Sequence, residues 1–160
     1  MNKKVVVLGG GKGISYLLAG LKDFPLDITA VITVADNGKS TGKLREEFHI
    51  PAVGDVRKVI TSMSGSDENI KKMLEYRFHT TSDLDGHALG NLILTSLLDI
   101  TGSLKASIEE LSILLDVKSK ILPLTEDENI TLMGEATDGS IIEGEEMITI
   151  SPKKIMKFFY

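Results

Sequence analysis

Four apolar residues, Val5-Val6-Val7-Leu8, run directly into Gly9-Gly10-Gly11-Lys12-Gly13, and no other junction constrains the fold as strongly. A short, unbroken, β-branched run reads as a strand buried on both faces. After the glycines, Ile14, Leu17, Leu18 and Leu21 recur with the spacing of one helical face. Asp23-Phe24-Pro25 stops that helix, and Ile28 to Val34 reads as a second buried strand ending at Ala35-Asp36. Strand, helix, strand in this order predicts two adjacent parallel strands with a right-handed crossover. The fold class is α/β.

The chain continues through Asn37-Gly38-Lys39-Ser40-Thr41-Gly42, which reads as a polar loop, into a short helix over Leu44 to Phe48. Val56, Val59, Ile60 and Met63 mark a helix opened by Gly54-Asp55, with Asp55 as the expected N-cap. Ile70, Met73, Leu74 and Phe78 predict a further helix, and Leu89, Leu92, Ile93 and Leu97 another. Ser107-Ile108-Glu109-Glu110 has capping-box spacing and predicts a helix start that reaches Leu115. Lys120 to Leu124 and Ile130 to Ala136 read as strands; Asp138-Gly139 is a hairpin turn, with Ser140 to Ile150 as the returning strand. The apolar ending after Ser151-Pro152 reads as cut rather than finished.

The length of 160 residues matches one domain, with no repeat or linker. A net charge of −5 argues against a nucleic-acid partner, which demands a basic stripe. The absence of cysteine excludes disulfides and thiolate metal sites. No apolar run is long enough for a signal peptide or a membrane span, so a cytoplasmic protein with no membrane partner is expected.

Four glycines between a strand and a helix suit phosphate binding, because the backbone approaches closely and the helix start offers unpaired N–H groups. The dinucleotide fingerprint is only partly met: Gly9 and Gly11 match, but Ile14 takes the third glycine's place, which disfavours an NAD-dependent oxidoreductase. Asp36, 23 residues after Gly13, stands where such units place a carboxylate on a ribose. Gly38-Lys39-Ser40 is no P-loop, since Thr33 occupies the position of its first glycine; Lys39 is kept as a point charge near a phosphate. His87 and Asn91 stand four apart, which predicts one helix face. Asp55 and Arg57 read either as a cap with a solvated arginine or as a polar pair aimed into a cleft. Glu75 to Phe78 reads as helix surface and core. His49, His79 and His87 lack metal-ligand spacing, so no metal is expected.

Five motifs in order carry a resemblance: Val7 to Ser15, Thr33 to Arg45, Pro51 to Arg57, Leu74 to Phe78 and Gly86 to Leu92. Together they resemble the YvcK/CofD-like proteins, in particular the bacterial YvcK branch of gluconeogenesis factors. The tail, with Asp138-Gly139 and Ser151 to Ile155, is similar to that branch as well.

The resemblance implies a Rossmann-like parallel sheet flanked by helices, with a C-terminal β-hairpin. It implies that residues 1–160 are a single nucleotide-sugar-binding domain, the N-terminal half of a longer family protein. The implied function is a regulator that binds a UDP-sugar, UDP-N-acetylglucosamine above all, with roles in gluconeogenic growth and cell shape. The implied ligand residues are Gly10, Gly11, Lys12 and Gly13 for the pyrophosphate, Asp36 and Asn37 for hydroxyls, and Lys39, Asp55, Arg57, His87 and Asn91 along the cleft. No catalytic residue and no cofactor beyond the ligand is implied. A protein partner is expected of a regulator, and self-association of an exposed apolar wall. The alternative is a CofD-like transferase that moves a 2-phospholactyl group from a nucleotide donor. The chain departs from the family pattern at Lys12, Asn37, Lys39 and Lys58. Asn37 removes a carboxylate, which favours binding over metal-dependent transfer; Lys12 and Lys39 add positive charge where phosphate is expected.

Overall fold

The computed structural model describes residues 2–36, 38–128 and 130–160, and for Lys39 the backbone alone. Strand β1 (Lys3–Gly9) leads through Gly10 into helix α1 (Gly11–Leu21), and the chain returns as β2 (Leu26–Ile32). The two strands pair in parallel, with Val5 opposite Ile28 and Val7 opposite Ala30, as the sequence predicts. A third parallel strand, β3 (Lys120–Pro123), pairs with β2 on its other side, so the sheet order is β1-β2-β3. Between β2 and β3 the chain forms α2 (Lys39–Phe48), α3 (Gly54–Met63), α4 (Glu68–Glu75), α5 (Leu89–Thr101) and α6 (Leu104–Leu114).

The core lies on one side of this sheet. Ile28, Ala30, Ile32 and Ile121 meet Ile14 and Leu18 of α1, Val56, Val59 and Ile60 of α3, Leu94 of α5, and Ile108 of α6. Val6 and Leu8 point the other way and are 70% and 67% exposed. The expectation that β1 is buried on both faces is therefore corrected. Unbroken hydrophobicity in a strand marks two apolar faces, but it does not say which of them the same chain covers.

The polar segment after Asp36 is helical sooner than the sequence suggests. Gly42 N–H already donates to Gly38 C=O, so Lys39 to Gly42 is the first turn of α2. Helix α6 starts at Ser103, not Ser107: the Ser103 hydroxyl accepts from the Ala106 amide, and Ser107 is buried one turn inside. Helix α4 ends at Glu75, before the Phe78 that its apolar period includes. Tyr76 turns extended, and Arg77 bridges antiparallel to Ala88.

The C-terminal region is a second sheet. β4 (Met133–Ala136) pairs antiparallel with β5 (Ile141–Glu143) across the Asp138-Gly139 turn, where Gly139 adopts φ +80°. The returning strand is short, because Gly144 takes φ +87° and α7 (Glu145–Ile150) begins there. A third strand, β6 (Ile155–Phe159), completes the order β5-β4-β6. Among the described residues no helix is long and apolar enough to cross a membrane.

Candidate functional site

Ligands of open parallel sheets sit beyond the carboxyl ends of the strands. Here β1 ends at the glycine loop and β2 runs out through Thr33 to Asp36, and Thr33 N–H donates to Gly9 C=O to hold the two exits together. A cavity of about 440 Å³ opens at this end of the sheet. Asp36, Arg57 and Asn91 of the expected set line it, together with Lys43, Lys58 and Arg77.

Arg57 is the centre of the site. Its residue is 5% exposed, and its Nε donates to Asn91 Oδ1 at 2.9 Å. Asn91 is itself 1% exposed, so it acts as a fixed acceptor that sets the guanidinium plane. Gly90 makes this packing feasible: a Cβ there would lie 2.7 Å from Arg57 Cδ and 2.8 Å from the Leu74 carbonyl oxygen. The Nη1 of Arg57 is buried without a hydrogen-bond partner among the described residues. Burial lowers the guanidinium's pKa, and neighbouring Arg77 lowers it further, against opposing contributions from Glu75, Asp55 and Asp36. A buried cation next to a second cation is costly unless an anion completes it.

Arg77 reaches the cleft because α4 stops early. Phe78 N–H donates to His87 C=O and Leu89 N–H to Tyr76 C=O, and this short ladder turns residue 77 toward α5. Its Nη1 donates to Gly86 C=O at 2.6 Å and to Ser40 Oγ at 3.3 Å. The sequence reading did not place Arg77, Lys58 or Lys43 in the site; Arg77 lies within the Leu74 to Phe78 motif, but the helical period that continues to Phe78 hides the break at Tyr76.

The glycine loop differs from expectation. Asp55 is not an N-cap; α3 begins after Val53, and Asp55 lies in its first turn. Its Oδ2 accepts from the Gly11 amide at the start of α1, and its Oδ1 pairs with Lys58 Nζ at 2.6 Å. Gly10 is glycine for packing: a Cβ there would lie 2.0 Å from Thr33 Oγ1 and 2.9 Å from Asp55 Oδ2. Gly11 sits at φ +71°, so any side chain there strains the backbone as well as filling space. Gly13 faces open space, with nothing within 4 Å of a Cβ.

The remaining expected residues divide. Asp36 Oδ1 accepts from the Gly38 amide at 2.8 Å, beside the start of α2. Lys12 lines a neighbouring cavity of about 430 Å³ with Tyr16 and Arg57. His87 is buried, its Nδ1 unpartnered, but it precedes the Ala88 N-cap of α5 and so does not share a helix face with Asn91. It lines neither cavity. Asn37 lies outside the described residues, and the Lys39 side chain is not described. Glu145, on α7, was not anticipated: partial desolvation of this largely exposed residue raises its carboxyl pKa, and Asp36 and Asp55 raise it further.

Relatives called "Gluconeogenesis factor" are 46% identical in Halalkalibacterium halodurans and 41% identical in Bacillus subtilis, each across 98% of this chain. This chain spans about half their length, 48% and 49%. A crystal structure of a Bacillus halodurans family protein superposes with a TM-score of 0.95 at 45% identity, covering 99% of this chain and 51% of that one. The family model described as 2-phospho-L-lactate transferase CofD matches residues 5–160, so the chain belongs to the CofD family.

Proposed function

We propose that this chain is the nucleotide-sugar-binding part of a gluconeogenesis-factor-type regulator, with UDP-N-acetylglucosamine as the preferred class of ligand. One observation carries the reading: Asp36, Arg57 and Asn91, singled out in the sequence, share one cavity at the carboxyl ends of β1 and β2. That cavity supplies a carboxylate for sugar hydroxyls and cations for phosphate, which are the two chemistries a nucleotide sugar presents. The relatives' name, gluconeogenesis factor, supports a role in carbon metabolism, and a role in cell shape belongs to the same proposal. As a cytoplasmic regulator it would act through a protein partner, and the exposed side of β1 at Val6 and Leu8 offers a surface for self-association.

The experiment is calorimetry of this chain against UDP-N-acetylglucosamine, UDP-glucose, GDP and NAD. Saturable binding of the UDP-sugars, returned chemically unchanged, is the expected result. Preference for NAD, or binding of none of the four, would overturn the reading. Consumption of the ligand with an acceptor would place the chain among the transferases.

A further inference from the structure

We propose that Arg57, Arg77 and Lys58 together seat a diphosphate-class oxyanion at the junction of two cavities, and that the glycine loop of α1 is not where it sits. This deepens the nucleotide-sugar reading and rests on it only for what the oxyanion carries.

The two cavities, about 440 and 430 Å³, have three lining residues in common, and all three are cations: Arg57, Lys58 and Arg77. Arg57, itself 5% exposed, is held rigidly by Asn91 at Nε and by the close approach of α5 at Gly90, with Nη1 unpartnered among the described residues. No carboxylate forms a salt bridge with either arginine among the described residues. A buried guanidinium without a carboxylate, next to a second one, is suited to a bidentate oxyanion. Glu75 lines the second cavity and Asp36 and Asp85 the first, so the shared cations lie between flanking carboxylates.

The glycine loop is the competing seat, and the protein's own carboxylate is already there. Asp55 accepts from the Gly11 amide, and its negative charge at the head of α1 opposes a second anion. A nucleotide sugar is two organic groups joined through a diphosphate, so a diphosphate at the shared cations sends one group into each cavity. Asp36 then serves one group, and Tyr16 and Ser15 serve the other.

The test uses inorganic pyrophosphate as the probe, followed by phosphorus NMR and calorimetry, on the wild type and three variants. Arg77→Gln alters an exposed residue. Arg57→Lys keeps the charge and removes the fork. Gly13→Val places a side chain over the loop, in space that is open. Circular dichroism checks folding, and Arg77→Gln keeps the test valid if Arg57→Lys does not fold. The expected result is a loss of roughly tenfold or more in pyrophosphate affinity for Arg77→Gln and for Arg57→Lys, with less than about a threefold change for Gly13→Val. A large loss in Gly13→Val with Arg77→Gln unaffected would put the phosphate on the loop and overturn the proposal, as would no pyrophosphate binding at millimolar concentration. Pyrophosphate binding that needs Arg77, without any binding of UDP-N-acetylglucosamine, would sink the nucleotide-sugar reading and leave the oxyanion seat standing. UDP-N-acetylglucosamine binding that ignores Arg77→Gln would do the reverse.

Discussion

Two helix starts border the cleft, and they are built differently. At α1 the glycine loop is filled from within: Gly10 packs on Thr33, and the Gly11 amide is taken by Asp55. At α2 the helix opens onto the cavity, with Ser40, Thr41 and Lys43 in its lining and Arg57 and Arg77 opposite. On the proposed reading, a glycine-rich turn is a weaker indicator of phosphate than an unsatisfied buried cation. Glycines are used for close packing as readily as for ligand approach, whereas a buried guanidinium nitrogen without a partner is a group the fold itself leaves incomplete.

In the proposed reading sugar recognition falls to the α2 side, and its removal is the largest effect expected. Asp36→Ala should weaken UDP-N-acetylglucosamine by roughly tenfold or more, since a hydrogen bond to a charged group is worth about 1.5–3 kcal/mol. Pyrophosphate affinity should be nearly unchanged. Equal losses for both ligands would move Asp36 to the phosphate.

The two glycines of the loop should separate next. Gly10→Ala forces a Cβ against Thr33 Oγ1 and should destabilise the apo chain by about 1–3 kcal/mol. Gly13→Ala, in a helical first turn with open space, should be neutral or stabilising by up to about 1 kcal/mol. Chemical denaturation measures both, and the comparison fails if Gly10→Ala is tolerated as well as Gly13→Ala.

These contrasts mark how far the sequence could be read. The β1–α1–β2 unit was legible because β-branched runs and a clean helical face leave few alternatives. Asp36 was legible as the close of a buried strand, whereas Arg57 and Asn91 came only with the family resemblance, because nothing in their local spacing separates a cleft residue from one that satisfies its neighbours. Arg77 was not, because Leu74 and Phe78 continue the apolar period past the point where Tyr76 breaks the helix. Asp55 looks like an N-cap in one dimension; only the packing of α3 against α1 brings it to the Gly11 amide. The end of β5 was obscured similarly, since Ile141 and Ile142 read as strand while Gly144 at φ +87° starts a helix within two residues.

Charge at the loop gives a smaller effect, of opposite sign. Asp55→Asn keeps an acceptor for the Gly11 amide but removes the carboxylate that pairs with Lys58. Pyrophosphate should bind a few-fold more tightly, an effect on the scale of a partly exposed ion pair. Weaker binding would mean that Asp55 orients Lys58 rather than competing for it.

The smallest effect is in pH. Partial desolvation, Asp36 and Asp55 raise the Glu145 carboxyl, so its ionisation disfavours the folded state and adds negative charge facing Asp36 and Asp55. The folded form keeps this proton to higher pH than the unfolded chain, so its ionisation reduces stability as pH rises from the unfolded value toward the raised one. Anion affinity should follow the same direction, rising modestly as pH falls through that range, and Glu145→Gln should flatten the profile. An unchanged profile in the variant would assign the pH dependence to another group.

The most direct measurement is a titration of ¹⁵N-labelled chain with UDP-N-acetylglucosamine, observing the Nε–Hε resonances of Arg57 and Arg77 alongside the amides of Gly10, Gly11 and Gly13. The account predicts saturable shifts of both arginine resonances and of the Asn91 side-chain amide, with the loop amides moving less. Saturable shifts centred on Gly10 to Gly13 while both arginines stay still, or no shifts at all, would contradict it.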